Sequence, residues 1–363
     1  MFRMEQGPIR GEPVKGRGAA TNRAGRYDLA REAEDDGWAP DEAPPPLRTE
    51  IVFDRTREAI SKVASPDLPF DRSLNPYRGC EHGCVYCFAR PTHAWLGLSP
   101  GLDFETRLTA KPDAPALLRK ALMRPSYKPR PLAIGTNTDP YQPAEKKLKI
   151  MRGVLEVLAE FAHPVTIVTK SALVARDLDI LGPMGRKGLA RVSLSVTTLD
   201  GDLARIMEPR AAAPGRRLWA LKRLAEAGVP SGVMAAPLIP AINDHEIEAI
   251  LRAAAAAGAK TAGYIVLRLP LEVRDLFVEW LEAHFPDRAA RVMRYVRELH
   301  GGRDYDPEWG KRLKGEGVYS ELIRRRFARA AAERGLDREL PPLRLDLFRR
   351  PAPDRRQLSL FEE

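Results

Sequence analysis

Three cysteines occur in the 363 residues, and all of them sit in one stretch, Cys80-Glu-His-Gly-Cys84-Val-Tyr-Cys87. Thiolates at this C-x3-C-x2-C spacing are soft donors on a short loop, which is a metal-binding arrangement. Two centres fit it. In a [4Fe–4S] cubane, three thiolates reach three irons, and without a fourth cysteine the last iron is open to another ligand. In a structural zinc site His82 or His93 would be the fourth ligand, although such sites more often pair two short knuckles and only one is present. A disulfide framework does not suit an odd count, and no secretory signal pattern is read that would place the chain in an oxidising compartment.

The spacing resembles the cluster loop of radical S-adenosylmethionine (SAM) enzymes, with Tyr86 where those loops carry an aromatic residue near the adenine of SAM. The resemblance implies that Cys80, Cys84 and Cys87 hold a [4Fe–4S] cluster and that SAM binds its open iron. A wider stretch resembles the spore photoproduct lyase-related branch, over roughly residues 70 to 300. It runs from Ser73-Leu-Asn-Pro-Tyr-Arg-Gly through Cys87-Phe-Ala-Arg90, with Thr92-His93, Thr138-Asp139 and Thr169-Lys170. Those lyases split a thymine dimer in DNA, and a cysteine near the end of their second strand returns a hydrogen atom to the product. Thr136 occupies that place here. A hydroxyl is a poor hydrogen-atom donor, so the same repair by the same route is not expected. Tyr141 and Tyr264 are the alternative radical carriers, although a tyrosine in a barrel also serves as packing.

A rigid frame must hold such a loop. Short apolar, β-branched runs at 132–135, 165–168, 191–196, 232–235 and 264–267 alternate with segments at 145–161, 218–227, 245–257 and 274–285, in which apolar residues recur every three or four positions. The runs predict strands buried on both faces, and the segments predict amphipathic helices. With a first strand at 73–76 there are six strand–helix units, and repeated units of this kind build a parallel sheet. The fold class is therefore α/β. The resemblance makes it a partial (β/α)6 radical SAM barrel, with the cysteine loop after the first strand and the chemistry at the C-terminal strand ends.

That rule selects the remaining candidates. Thr138 and Asp139 follow the second strand, where they would hold the amino and carboxylate groups of SAM; the same run also suits turns and a helix cap. Lys170 follows the third strand and would pair with the SAM carboxylate. Ser193, Ser195 and Thr197 share one strand face, and Ser195 is the candidate nucleoside contact. Glu208 and Arg210, with Arg216 and Arg217 close behind, form either a local ion pair or a contact to the ribose and carboxylate of SAM. The candidate catalytic residues are Asp139 and Tyr141. The candidate cofactor-binding residues are Tyr86, Thr138, Lys170, Ser195, Glu208 and Arg210.

The formal charge of +10 favours a polyanionic partner. No apolar stretch approaches the roughly 20 residues of a membrane span, so a soluble cytoplasmic protein is expected. Residues 1–50 read as a disordered extension, 51–290 as the barrel, 291–337 as a helical extension and 338–363 as a flexible tail. The tail ends in Gln357-Leu-Ser-Leu-Phe361, similar to the peptide that docks bacterial repair proteins onto the DNA sliding clamp. Gln357 would bond at a groove edge, with Leu358, Leu360 and Phe361 in apolar pockets. Arg324, Arg325, Arg326 and Arg329, in a helical run at 319–332, are either phosphate contacts or a solvated face.

The function expected is a radical SAM enzyme that cleaves SAM reductively and generates a 5′-deoxyadenosyl radical. It would act on nucleic acid in DNA repair or modification, served by an electron donor such as flavodoxin or ferredoxin. A radical SAM enzyme acting on a small metabolite or peptide is one alternative. A non-catalytic iron–sulfur protein, DNA-associated or redox-sensing, is the other.

Overall fold

A computed structural model of the chain describes residues 13–27 and 47–351. Its strands are β1 (Glu50–Phe53), β2 (Ser61–Lys62), β3 (Arg72–Leu74), β4 (Tyr77–Arg78), β5 (Arg107–Ala110), β6 (Leu132–Ile134), β7 (Val165–Thr169), β8 (Ala190–Ser195), β9 (Ser231–Leu238) and β10 (Thr261–Val266). Six of them form one parallel run in the order β10-β9-β8-β7-β6-β3, to which β2 adds an antiparallel edge, and β1, β5 and β4 make a separate three-stranded sheet. The first and last strands do not pair, which leaves the barrel partial. All six strands expected from the sequence are present.

The alternation along each strand sets the two faces. Leu132, Ile134, Val165, Ile167, Val192, Leu194, Val233 and Ala235 are fully buried and join the helices in one core. Burying an aliphatic side chain of this size contributes about 1.5–3 kcal/mol, so this layer dominates stability. Thr166, Val168, Arg191 and Ser193 take the other face and line a cavity of about 410 Å³ inside the barrel. At the exit of β6, Gly135 has φ of +87°, and a Cβ there would lie 2.1 Å from the Val168 carbonyl oxygen. Only glycine permits this close turn into the mouth.

The expected helix at 145–161 is two helices, Glu145–Leu148 and Ile150–Glu160, divided at Lys149 with φ of 52°. The cause is Glu145. Its buried carboxylate accepts the Met151 and Arg152 N–H groups at 3.1 and 3.3 Å and so caps a new helix start. The other predicted helices appear at Pro214–Glu226, Ile247–Ala256, Val273–His284 and Gly317–Glu333. No helix among the described residues is long and apolar enough to cross a membrane.

The two extensions differ from expectation where they are described. Residues 13–27 lie on the barrel as a strap. Arg17 donates to the Glu105 and Leu47 carbonyls at 3.0 and 2.7 Å, and Thr21 donates to Glu279 at 2.9 Å. Polar contacts hold this segment, so it carries no apolar periodicity to read. At the other end Phe348 packs on Tyr127, Phe161 and His163 with ring centroids 5.7–6.3 Å apart. Arg350 donates to the Leu122, Arg124, Pro125 and Tyr127 carbonyls. Expectations for residues 1–12, 28–46 and 352–363, the Gln357–Phe361 peptide included, lie outside the described residues.

Candidate active site

The cysteine loop follows β3 at the C-terminal end of the parallel sheet by way of β4, which pairs with β5, and hydrogen bonds tie much of its backbone down. The Cys80 N–H donates to the Phe104 carbonyl at 2.9 Å, and the Cys87 N–H to the Cys84 carbonyl at 3.1 Å. Arg90 is wholly buried beneath the loop, donating to the Cys84 and Gly83 carbonyls at 3.0 and 3.2 Å and pairing with buried Glu105 at 2.5 Å. Gln142 closes the far side. Its oxygen accepts the Glu81 N–H at 2.9 Å and its amide donates to the Gly79 carbonyl at 3.2 Å.

The strap crosses this loop. Gly18 and Ala19 donate their N–H groups to the Glu105 carboxylate at 3.0 and 2.9 Å. A Cβ on Gly18 would lie 1.8 Å from the Gly83 carbonyl oxygen, so the two backbones are in direct contact.

The three thiols suit a metal cluster. Burial pushes the Cys80 and Cys84 thiols well above their ordinary pKa, with the Asp139 carboxylate adding to the first and Glu208 to the second. Thiolate charge in such a place calls for an electropositive centre, and a bound metal supplies one. No group of three His, Cys, Asp or Glu side chains among the described residues is disposed to hold a metal ion. Three thiolates that serve three irons of a cubane need not converge on one point. His93 instead bonds the Arg107 carbonyl at 3.0 Å, and His82 Nδ1 meets Asp139 at 3.4 Å.

Around the loop the strand ends bring several predicted residues together. The Tyr86 hydroxyl donates to the buried Glu208 carboxylate, which also accepts Thr197 Oγ1 at 2.6 Å and pairs with Arg217. Lys170 Nζ stands 5.7 Å from the centre of the Tyr86 ring. Ser195 is buried on the adjacent strand, and its carbonyl accepts Arg217 at 3.0 Å. Burial raises the Glu208 pKa and the Arg217 charge opposes that shift.

Two candidates act through others. Asp139 accepts Thr169 Oγ1, the Lys170 N–H and the Tyr141 N–H at 2.7, 2.7 and 2.9 Å. Burial disfavours its charge, yet His82 and these donors outweigh that and bring its pKa to about 2. Thr138 donates its hydroxyl to the Tyr77 carbonyl at 3.0 Å. Both therefore brace the loop.

The remaining candidates have other partners than those expected. Arg210 does not pair with Glu208 but reaches Glu81 at 3.0 Å, while Glu208 takes Arg217. The local ion pair read from the sequence is replaced by two longer-range ones. Tyr141 is buried against Arg176, with its pKa raised by burial and by Asp177. Tyr264 packs on Phe327 with centroids 4.6 Å apart, and Lys314 Nζ sits 3.5 Å from its ring centre. Thr136 accepts Asn75 Nδ2 at 3.3 Å. Sequence reasoning missed Glu105, Gln142 and the role of Arg90; only Arg90, inside the quoted motif, carried a signal.

An α/β barrel with three cysteines on a loop at its mouth, ringed by tyrosine, lysine and a buried glutamate, defines a radical SAM protein. Residues 74–254 match the Radical SAM superfamily, and the chain belongs to that superfamily as a radical SAM enzyme. The family implies a [4Fe–4S] cluster and SAM. The chain is 35% identical over 307 residues to an uncharacterised protein of Mycobacterium tuberculosis, covering 84% of each. It is 27% identical over 199 residues to one of Methanocaldococcus jannaschii, covering 55% of this chain and 71% of that one. Among solved structures, spore photoproduct lyase complexed with dinucleoside spore photoproduct aligns with a TM-score of 0.56 at 16% identity over 78% of both chains. A Tyr-to-Phe variant of that lyase aligns at 0.55 and 17%, covering 79% and 80%. Identity this low makes the likeness one of fold.

Proposed function

We propose that the protein cleaves SAM reductively and uses the radical on a nucleic acid, in repair or modification. The observation that carries this reading is the gathering of Tyr86, Lys170, Glu208 and Arg217 beside the three cysteines at the barrel mouth. A cluster held by Cys80, Cys84 and Cys87 with SAM bound to it would supply one-electron reductive cleavage of SAM and hydrogen-atom abstraction from a substrate C–H, with the electron from a flavodoxin- or ferredoxin-type donor.

The chain's own residues have distinct roles. Cys80, Cys84 and Cys87 hold the cluster. Lys170 offers an ammonium to the SAM carboxylate, and Tyr86 offers its ring face to the adenine. Glu208, fixed by Arg217 and Thr197, receives the ribose hydroxyls or the amino group. Asp139 and Thr138 are positioning residues that hold His82 and the loop backbone. The nucleic-acid part is supported by the charge of +10 and by the fold shared with spore photoproduct lyase. Thr136 and the commitment of all three cysteines to the loop separate this chemistry from thiol-dependent repair.

The test is anaerobic reconstitution, with iron and sulfide measured, followed by SAM and dithionite with and without DNA and detection of 5′-deoxyadenosine by mass spectrometry. Release that disappears in Cys84→Ala and rises with DNA is the expected result. Zinc in place of iron, or no release from a fully loaded protein in the presence of DNA, overturns it.

A further inference from the structure

Beside the barrel mouth, the helices Pro286–Leu299 and Gly317–Glu333 pack together and form a groove of about 390 Å³. It is lined by Asp244, His245, Arg288, Arg291, Tyr295 and Tyr319. The two tyrosine rings stack, with centroids 4.8 Å apart and planes at 17°. Arg291 and Arg294 lie 5.8 and 5.2 Å from the Tyr295 ring centre. Arg288, Arg291 and Arg294 recur every third position, share one helix face and are exposed. Among the described residues none of the three meets a carboxylate. The one acid in the groove, Asp244, is occupied by the Tyr319 hydroxyl and by the Ala241 N–H at 2.9 Å.

The segment carrying Asp244 and His245 leaves the C-terminal end of β9, the same end of the sheet from which the cysteine loop emerges. The inner face of the arginine helix, Val292, Met293 and Val296, belongs to the same apolar cluster as Cys84, Val85 and Tyr86.

We infer that this groove is a nucleic-acid docking surface. Arg288, Arg291 and Arg294 take phosphates of one strand, and the Tyr295–Tyr319 pair offers a flat face to a base or sugar, the combination that single strands require. The inference rests on the nucleic-acid reading above and deepens it.

Fluorescence anisotropy of a labelled single-stranded oligodeoxynucleotide with the full chain tests it. R288E/R291E/R294E should weaken binding at least about ten-fold and flatten the salt dependence by about two, since each strand phosphate contributes about 0.7 to the slope. Tyr295→Ala should weaken binding about ten-fold and leave the slope unchanged. R324E/R325E should stay within about three-fold of the parent, because both arginines already share Glu321. Circular dichroism confirms that each variant folds. If the parent binds no nucleic acid, the functional reading and the surface fall together. If it binds and the triple variant is unchanged, or R324E/R325E loses as much, the surface alone is overturned. Poly-glutamate bound as tightly as DNA would make the groove a site for acidic proteins and also overturn it.

Discussion

Arginine has opposite settings at the barrel mouth and on the neighbouring flank. At the mouth Arg90 and Arg217 are fully buried, and each meets a buried carboxylate, Glu105 and Glu208. On the flank Arg288, Arg291 and Arg294 stand in solvent without an acidic partner among the described residues. A buried pair fixes geometry, because removing one partner strands a charge in a low dielectric. An exposed, unpaired row contributes little to folding and leaves its charge for a partner. The helix Gly317–Glu333 shows why counting arginines misleads. Arg324 and Arg325 share Glu321, Arg326 takes Glu248 and Arg329 takes Glu333, so in the run that the sequence offered as either phosphate contacts or a solvated face every guanidinium already has a nearby carboxylate.

The largest effect expected from this contrast is at Glu105. Glu105→Ala strands Arg90 and releases the strap, and should destabilise the fold by about 3–5 kcal/mol. It should also lower reconstituted iron content; urea denaturation and iron analysis read both, and a loss under about 1 kcal/mol would mean that the pair does not hold the mouth.

The buried side is sharpened next by pH. His163 bonds Tyr127 at 2.8 Å and the Pro164 carbonyl at 3.0 Å, and burial lowers its pKa to about 4. The unfolded chain takes up a proton near pH 6.5 and the folded chain does not. This contribution is therefore complete above pH 6.5 and lost as the pH falls towards 4, up to about 3 kcal/mol. His163→Gln should flatten the stability profile across that window, as followed by denaturation at several pH values.

Glu208→Gln keeps the shape and removes the charge opposite Arg217. SAM affinity should fall about ten-fold, about 1.4 kcal/mol, by anaerobic calorimetry on the reconstituted protein. Arg291→Glu, on the exposed side, should change unfolding stability by less than about 0.5 kcal/mol; a larger loss would show that the row is structural. The smallest structural effect belongs to the tail. We propose that Gln357–Phe361 docks on a bacterial sliding clamp, and Gln357→Ala with Phe361→Ala should abolish clamp capture in a pull-down while leaving the melting temperature unchanged.

The frame was legible because runs such as Val165–Thr169 are β-branched throughout, although only Val165, Ile167 and Thr169 are buried and Val168 is exposed on the other face, so the expected burial on both faces does not hold there. The cysteine loop was legible because nothing competes with Cys80, Cys84 and Cys87. The true partner of Glu208 was hidden, since Arg217 reaches it only through the fold and Arg210 is nearer in sequence. Lys149 gave no warning of a helix break, because the capping carboxylate of Glu145 acts from the preceding turn. The strap escaped notice because its contacts are backbone N–H groups and arginines, which leave no periodic pattern.

That strap bears on the order in which the protein is made. Its contacts span long stretches of chain: Gly18 to Glu105 is 87 residues, and Arg26 to Glu272 is 246. Residues 13–27 are synthesised before the barrel, yet their last anchors, Glu272 and Glu279, are synthesised only after every barrel strand is complete. Ends so far apart in sequence close late, because the loop-closure entropy is met only when the intervening chain has folded. The strap is thus seated in two stages: Gly18 and Ala19, which lie over the cysteine loop, have their partners Gly83 and Glu105 among the first strands, whereas the Thr21 and Arg26 end waits for Glu279 and Glu272.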